Sequence, residues 1–140
     1  RHFRGEVTVT VPKQELLQIC QYLYSNPDLE YHWLTDLCGL DFFPQGPCFE
    51  VVYLLYSLKN NERLRLKAKV GEQESISSVE SIWEAANWLE REVYDLFGIP
   101  FENHPDLRRI LLWDEFEGHP LRKDFPVEGP DFDKPFVPEV

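Results

Sequence analysis

The feature that most constrains the fold is a pair of neighbouring segments, residues 49–58 and 64–70, whose pattern is typical of the two arms of a β-hairpin. The first arm is apolar and aromatic. In the second arm, apolar side chains alternate with arginine and lysine. A period of two places one set of side chains on one face of a strand. Because Asn60-Asn61 supplies turn residues between the arms, the sequence predicts an antiparallel hairpin with one buried face.

Upstream of this hairpin the sequence predicts a strand, a helix and a shorter extended segment. Residues 6–11 alternate polar and β-branched side chains, which is typical of a half-buried strand. Apolar residues then recur at helical spacing from Pro12, a favoured first helical residue, to about Tyr24. Residues 31–38 are expected to form a short strand or turn.

Downstream of the hairpin the period changes to that of a helix. From about Ser78, apolar side chains fall within one stripe at about 100° per residue as far as Phe97. Gly98 is placed to end this helix in a left-handed conformation, and Pro100 prevents the helix from resuming.

This order of elements predicts the fold class and the domain organisation. A strand, a helix, three strands and a helix in succession indicate an α+β fold, with a mostly antiparallel sheet of about four strands covered by helices. A length of 140 residues fits one domain, which we place at residues 1–125. Residues 126–140 contain four prolines with two phenylalanines between them and are expected to form an extended tail.

Composition excludes several classes of function. A net charge of −11 opposes direct binding of nucleic acid or of an anionic membrane surface. No apolar run approaches the roughly 20 residues of a membrane-spanning helix. The cysteines are too few for a four-cysteine cluster, and we expect all three to be free thiols buried in the core: Cys20, Cys38 and Cys48. Because the sequence begins at Arg1 without methionine, we expect it to be trimmed.

The groups able to do chemistry are concentrated on and after the second helix. Glu90 and Glu92 project to opposite flanks of the apolar stripe, so they do not share one substrate. Arg91 and Asp95, one helical turn apart, are predicted to form a salt bridge on the outward face. A structural or interface role is therefore favoured over acid–base catalysis.

Catalytic and metal sites have weaker support in this block. His104 and His119 could bind a metal with a nearby aspartate, but each precedes proline at a spacing typical of no known metal motif. A free-standing enzyme that transfers protons through Glu90 or His104 is a further alternative. The sequence holds no Gly-x-Ser-x-Gly nucleophile elbow, no glycine-rich dinucleotide fingerprint and no phosphate loop.

Four cations of the same block lie among apolar residues and prolines: Arg108, Arg109, Arg122 and Lys123. Guanidinium groups in such surroundings are typical of protein–protein interfaces, where arginine and tryptophan are enriched. Internal ion pairs that hold loops in place are a second interpretation, and binding of an anionic ligand is a third. We expect an interface that anchors the chain to another protein.

The block also resembles a known family. The residues that carry the resemblance are Glu90-Arg91-Glu92-x-x-Asp95-Leu96-Phe97-Gly98-Ile99, then His104-Pro105-x-Leu107-x-Arg109-Ile110-Leu111, then Gly118-x-Pro120-Leu121-Arg122-Lys123-Asp124-Phe125. They are similar to those of the 30-kDa subunit, designated C, of respiratory complex I, the proton-pumping NADH:quinone oxidoreductase. The clear match covers residues 78–126, called the signature region below.

The resemblance implies a subunit of the hydrophilic arm that has no redox centre of its own. NADH, FMN, iron–sulfur clusters and quinone would be bound by other subunits. The expected partner is the hydrogenase-like subunit, designated D, whose interface with the subunit designated B forms the quinone pocket. The subunits designated B and I are further candidate neighbours. Membrane association would be peripheral and through the complex, at the cytoplasmic face of the bacterial inner membrane or the equivalent organelle face.

In this interpretation the four cations and the tail from Phe125 anchor the chain to the hydrogenase-like subunit. Related complexes leave an alternative, the equivalent small subunit of a membrane-bound hydrogenase or of a plastoquinone- or coenzyme F420-linked dehydrogenase complex. A self-associating acidic domain without a respiratory role is the weakest alternative.

Overall fold

The computed structural model describes residues 2–3, 5–45 and 49–128. Its strands are β1 (His2–Phe3), β2 (Glu6–Val11), β3 (Trp33–Asp41), β4 (Phe49–Ser57), β5 (Glu62–Val70), β6 (Ile76–Ser77) and β7 (Phe101–Glu102), and its helices are α1 (Leu16–Ser25) and α2 (Ala86–Phe97). The first five strands form one sheet in the order β1-β2-β5-β4-β3, and β6 pairs with β7. Residues 129–140 lie outside the described residues, so the extended tail stays a prediction.

The predicted α+β fold with a mostly antiparallel sheet is confirmed. Within the main sheet β1–β2, β3–β4 and β4–β5 are antiparallel, and β2–β5 is parallel. The parallel pairing arises because α1 carries the chain back before β3 begins, so that β2, β3 and β5 run in one direction. The sequence predicts about four strands, and the fifth is the two-residue edge strand β1.

The predicted hairpin is formed by β4 and β5, which pair without interruption from Phe49↔Val70 to Ser57↔Glu62. β3 runs for nine residues and is longer than the short strand or turn predicted there. A register shift between Leu34 and Asp36 explains the difference. A bulge inserts an extra residue, which breaks the alternation of period two by which a strand is recognised in the sequence.

Both helices begin later than predicted. α1 begins at Leu16, whereas Pro12 lies in a turn whose carbonyl accepts a hydrogen bond from the Glu15 N–H at 3.1 Å. α2 begins at Ala86, and the backbone N–H of Ser78 pairs instead beside the β6–β7 ladder with the Glu102 carbonyl at 2.9 Å. Between Ser78 and α2, residues 80–85 mostly form turns. Turns have an apolar spacing similar to that of a helix.

The core lies between the helices and one face of the sheet. Alternate residues of β5 pack into it, as the hairpin pattern predicts: Leu64, Leu66, Ala68 and Val70. The opposite set of side chains forms what we call the open face, since neither α1 nor α2 packs on it. No helix in the described part of the chain is long and apolar enough to cross a membrane.

The cysteines differ from the prediction that all three are buried. Cys20 is a core residue of α1, and burial raises the pKa of its thiol to about 12. Cys38 is exposed, because it occupies a position of β3 that points to the open face. Cys48 lies outside the described residues. An alternating strand buries only every second side chain, which a count of cysteines does not reveal.

Candidate functional site

Glu90 lies at the middle of α2 with a fully buried side chain, whereas Glu92 is exposed. The carboxylate of Glu90 accepts hydrogen bonds from the Ser78 hydroxyl at 2.6 Å and from the Val79 N–H at 2.7 Å. Burial raises the pKa of Glu90 to about 7, although these two hydrogen bonds act in the opposite direction. Glu90 therefore ties the turn that precedes α2 to the helix and exchanges its proton near neutral pH.

His104 lies close to this carboxylate, with Nε2 at 3.9 Å from Glu90 Oε2 and both side chains fully buried. Its nitrogens bind backbone groups. Nδ1 accepts a hydrogen bond from the Asp106 N–H at 3.0 Å, so Nε2 carries the proton and donates it to the Asn87 carbonyl at 3.1 Å. This assignment makes the imidazole neutral. Because neither side chain reaches the surface, the pair gives a substrate no access.

Asp95 fixes the loop that follows α2. One carboxylate oxygen, Oδ2, accepts three backbone hydrogen bonds, from the N–H groups of Ile110 at 3.0 Å, Leu111 at 2.8 Å and Leu112 at 2.9 Å. Burial alone would raise the pKa of Asp95. The hydrogen bonds from these amides and from Arg109 outweigh burial and hold the pKa below its usual value.

Arg109 joins the same carboxylate to the next loop. Its Nη1 donates to Asp95 Oδ1 at 2.6 Å, and its Nη2 donates to the carbonyls of Phe116 at 2.9 Å and Gly118 at 3.0 Å. The guanidinium carbon also lies 5.8 Å from the centre of the Phe116 ring, within cation–π range. Only 16% of the side chain is exposed. The structure thus places Arg109 in an internal ion pair that holds loops together, the second interpretation of the sequence.

The predicted salt bridge between Arg91 and Asp95 on the outward face is wrong. Both side chains are buried, and Arg91 donates to the carbonyls of Arg108 at 3.2 Å and Arg109 at 3.1 Å. Its guanidinium lies 5.3 Å from the ring centre of Trp88. Helical spacing correctly places Arg91 and Asp95 one turn apart, but it cannot indicate that a loop covers that side of α2 and binds both groups.

The last four carbonyls of α2 are all satisfied, mostly by residues 119–122. Helix ends leave four carbonyls without intrahelical partners, so these residues act as a cap. The carbonyls and their donors are Tyr94 with the Gly98 N–H at 2.8 Å, Asp95 with His119 Nδ1 at 2.8 Å, Leu96 with the Leu121 N–H at 3.1 Å, and Phe97 with Arg122 Nε at 2.7 Å.

Gly98 ends α2 in the left-handed conformation that the sequence predicts, with φ 73°. A Cβ at this position would lie 2.5 Å from the ring of His119. Glycine is therefore required at this position for two reasons: the positive φ of the backbone and the close approach of the His119 ring. Arg122 is held in the same cap, with its guanidinium 4.9 Å from the ring centre of Phe49 on β4.

The sequence does not predict the roles of two residues that hold the signature region in place, Asp41 and Ser78. The backbone N–H of Lys123 donates to Asp41 Oδ2 at 2.7 Å, so the end of β3 holds the end of the signature region. Asp41 and Ser78 carry no local signal for these roles, since their partners are distant in the chain. The remaining predicted residues are Pro105, Lys123 and Asp124, which are exposed, and Pro120, which is half-buried.

The two histidines are not brought together as a metal site would require. His104 contacts Asn87 near the start of α2 and His119 contacts Asp95 near its end, roughly 12 Å apart along the helix at about 1.5 Å per residue. In the part of the chain that the structure describes, no group of three or more His, Cys, Asp or Glu side chains could hold a metal ion.

Comparison with known proteins places these motifs in one family. The model of the respiratory-chain NADH dehydrogenase 30-kDa subunit matches residues 9–131. The chain belongs to this family. A member from Geobacter sulfurreducens, the C subunit of NADH-quinone oxidoreductase, is 55% identical over 133 residues, which cover 94% of this chain and 81% of that protein. The C subunit of NADH-quinone oxidoreductase from Roseiflexus castenholzii is 45% identical over 126 residues, which cover 89% of this chain and 72% of that protein.

A solved structure supports the fold of this 30-kDa subunit family member. A chain of the membrane-bound sulfane sulfur reductase, an archaeal respiratory membrane complex, superposes with a TM-score of 0.74 at 23% sequence identity. The match covers 91% of this chain and 75% of that chain. The resemblance that the sequence motifs indicated, to the 30-kDa subunit of complex I, is confirmed by the family match over residues 9–131.

In this member of the 30-kDa subunit family, the surface of the signature region combines many exposed charged residues with several large exposed apolar side chains. Four large side chains are more than half exposed: Trp88 at 61%, Leu111 at 61%, Trp113 at 54% and Leu121 at 52%. Arg108, three residues before Leu111 in the chain, pairs with Asp106 at 2.8 Å, and its side chain is 68% exposed. Of the four cations, Arg108 and Lys123 are exposed, whereas Arg109 and Arg122 bind within the chain.

Proposed function

We propose that this chain is a non-redox structural subunit of the peripheral arm of a proton-translocating NADH-quinone oxidoreductase. It supports electron transfer from NADH to quinone by docking to the hydrogenase-like subunit, and it does not itself react. The relatives' name, which specifies NADH-quinone oxidoreductase, supports this donor and acceptor over the hydrogenase and plastoquinone- or coenzyme F420-linked alternatives. NADH, FMN, the iron–sulfur clusters and quinone are assigned to other subunits.

One observation carries the non-catalytic part of the proposal. The buried ionisable groups of the signature region are engaged in holding α2 to the neighbouring segments, as in the pair of Asp95 and Arg109. Catalysis requires a group within reach of substrate. The two groups best placed for proton transfer, Glu90 and His104, have fully buried side chains. The signature region therefore presents to other proteins a surface whose loops are held to α2 by internal hydrogen bonds.

The docking surface is assigned to the exposed side chains of the signature region. Large apolar and aromatic residues beside arginine are typical of the side chains that contribute most binding energy in interfaces. Leu111, Trp113 and Leu121 have this character, and the exposed Arg108 and Lys123 are close to them in the chain. Arg109 and Arg122 contribute indirectly, since they fix the loops that display these residues. Membrane association is then peripheral, through the complex.

Co-purification tests this proposal. A tagged copy of the chain, produced with the other subunits of its complex, is expected to recover the hydrogenase-like subunit. The Leu121→Asp variant should reduce this recovery about tenfold or more, because it places a charge in an apolar contact. Leu58→Asp is the matched control, since Leu58 is 64% exposed in the β4–β5 turn, away from the signature region. Equal recovery with both variants would remove the assigned surface, and failure of the unaltered chain to recover any subunit would remove the proposed function.

A further inference from the structure

The open face of the sheet is a second surface with the composition of an interface. The pairing of β3, β4 and β5 places five apolar side chains on this face, which we call the apolar strip: Trp33, Leu40, Val52, Leu54 and Tyr56. Trp33 is 56% exposed and Leu40 is 39% exposed, Leu54 and Tyr56 are half-buried, and Val52 between them is only 5% exposed. An uncovered face of an antiparallel sheet is normally polar, with apolar residues confined to the covered face. The apolar strip departs from that rule.

Beside the apolar strip lie four cations at alternate positions of β5, which we call the basic ladder: Arg63, Arg65, Lys67 and Lys69. Their side chains share the open face because residues of a strand alternate between faces. The whole chain has a net charge of −11. The basic ladder therefore concentrates positive charge on one face of an acidic protein.

The ladder is only partly neutralised. Arg65 pairs with Glu6 at 2.7 Å, and Lys67 pairs with Glu50 at 2.6 Å. The two end members, Arg63 and Lys69, are exposed and form no ion pair within residues 2–3, 5–45 and 49–128. A depression of about 760 Å³ beside Lys69 is lined by side chains of β2, β4 and β5. Lys69 thus lines this depression, whereas Arg63 lies at the other end of the basic ladder, opposite Tyr56 of the apolar strip.

We propose that the open face binds one acidic amphipathic segment of another subunit, with its carboxylates on Arg63 and Lys69 and its apolar side chains on the apolar strip. This inference rests on the proposed function, because it requires a multisubunit complex. The face measures roughly 20 Å along β5 from Arg63 to Lys69 and roughly 10 Å across the two spacings between β5, β4 and β3. That area accommodates one helix of about 13 residues, which is about 10 Å wide. Nucleic acid does not fit, because the acidic body of the chain repels it.

Charge reversal within the complex tests this proposal. Lys69→Glu and Arg63→Glu, each produced in the same chain with the other subunits, should lower recovery of at least one subunit other than the hydrogenase-like one by about fivefold or more, and more so at low ionic strength. Lys59→Glu is the matched control, because Lys59 is a half-exposed lysine in the β4–β5 turn that pairs with Glu30 off the open face. Undiminished recovery of every subunit with both reversals would overturn the inference.

The exposed thiol of Cys38 offers an independent measurement, since it lies on the open face opposite Val52. Alkylation followed by peptide mass spectrometry should modify Cys38 in the isolated chain and at least tenfold more slowly in the intact complex, as about 90% coverage would require. Cys20 serves as the internal control, because it is fully buried within the chain itself. Equal rates at Cys38 would overturn the inference.

The outcomes also separate this inference from the proposed function. The unaltered chain could assemble with the hydrogenase-like subunit while Cys38 remains accessible in the complex. This outcome would leave the proposed function intact and would contradict binding of a segment to the open face. Protection of Cys38 in the isolated chain that increases with concentration, and is lost in Lys69→Glu, would identify a second copy of this chain as the occupant and overturn the assignment to another subunit.

Discussion

Replacement of Asp95 by asparagine tests whether this carboxylate is the main support of the signature region. Asp95 accepts three backbone hydrogen bonds and one from Arg109, and its side chain is fully buried. Loss of the charge weakens each bond by about 1 kcal/mol, the difference between hydrogen bonds to charged and to neutral groups. The sum, about 4 kcal/mol, agrees with the about 3–5 kcal/mol expected when a buried ion pair loses one partner.

The free energy of unfolding measured by urea denaturation at pH 7, followed by tryptophan fluorescence, gives this quantity directly. Asp106→Asn is the matched control, because Asp106 makes its 2.8 Å pair with Arg108 at an exposed site and should contribute less than about 1 kcal/mol. Hydrogen exchange should also accelerate at the amides of residues 110–112 in Asp95→Asn. If the two variants lose similar stability, the central role assigned to Asp95 is refuted.

The same reasoning predicts a pH dependence for this variant. The pKa of Asp95 is lowered in the folded state, so its contribution is present above the unfolded pKa, and it is lost as the pH falls through the folded value. The difference in stability between the unaltered chain and Asp95→Asn should therefore be constant at neutral pH and shrink below about pH 4.

Two further changes isolate other contacts. Glu90 has a folded pKa of about 7 against an ordinary 4.5, so the folded state binds its proton more tightly and the free energy of unfolding should fall by roughly 3 kcal/mol as the pH rises through this interval. Glu90→Gln should abolish the decrease between about pH 5 and pH 8, whereas the exposed Glu92→Gln should retain it; a slope that survives in Glu90→Gln would contradict the assignment. Gly98→Ala should cost about 2–4 kcal/mol, because its Cβ would collide with the His119 ring at 2.5 Å as well as adopt a positive φ. Gly5→Ala shares the positive φ without any atom within 4 Å and should cost only about 1 kcal/mol, and equal costs in denaturation would rule out the collision.

The sequence predicts those parts of the fold that depend on residues close together in the chain. The β4–β5 hairpin follows from alternation and a two-residue turn signal, and the end of α2 follows from Gly98 and Pro100. β3 is longer than the sequence predicts because its bulge breaks the period. These successes and the failure at β3 have one cause. Only regular local geometry produces a periodic pattern of apolar residues in the sequence, so an irregular element such as a bulge is not recognised.

The location of the candidate site could be predicted from the sequence, but its individual side-chain contacts could not. The signature motifs mark the region, yet they do not indicate which charges face inward. Asp95 and Arg109 are 14 residues apart and meet only because the loop folds back over α2. Arginines beside carboxylates and prolines occur both in interfaces and in internal ion pairs, so composition alone cannot separate Arg109, which is mostly buried, from Arg108, which is exposed.

The parallel pairing of β2 with β5 has a consequence for biosynthesis. Glu6 and Arg65, which contact each other across that pairing, are 59 residues apart in the chain. At about 5–20 residues per second, the ribosome needs roughly 3–12 s to deliver β5 after β2 has been made. During that interval the nascent β2 strand lacks the neighbour that will pair with its hydrogen-bonding groups. We expect the newly made chain to bind molecular chaperones until β5 emerges from the exit tunnel, and to become competent for assembly only afterwards.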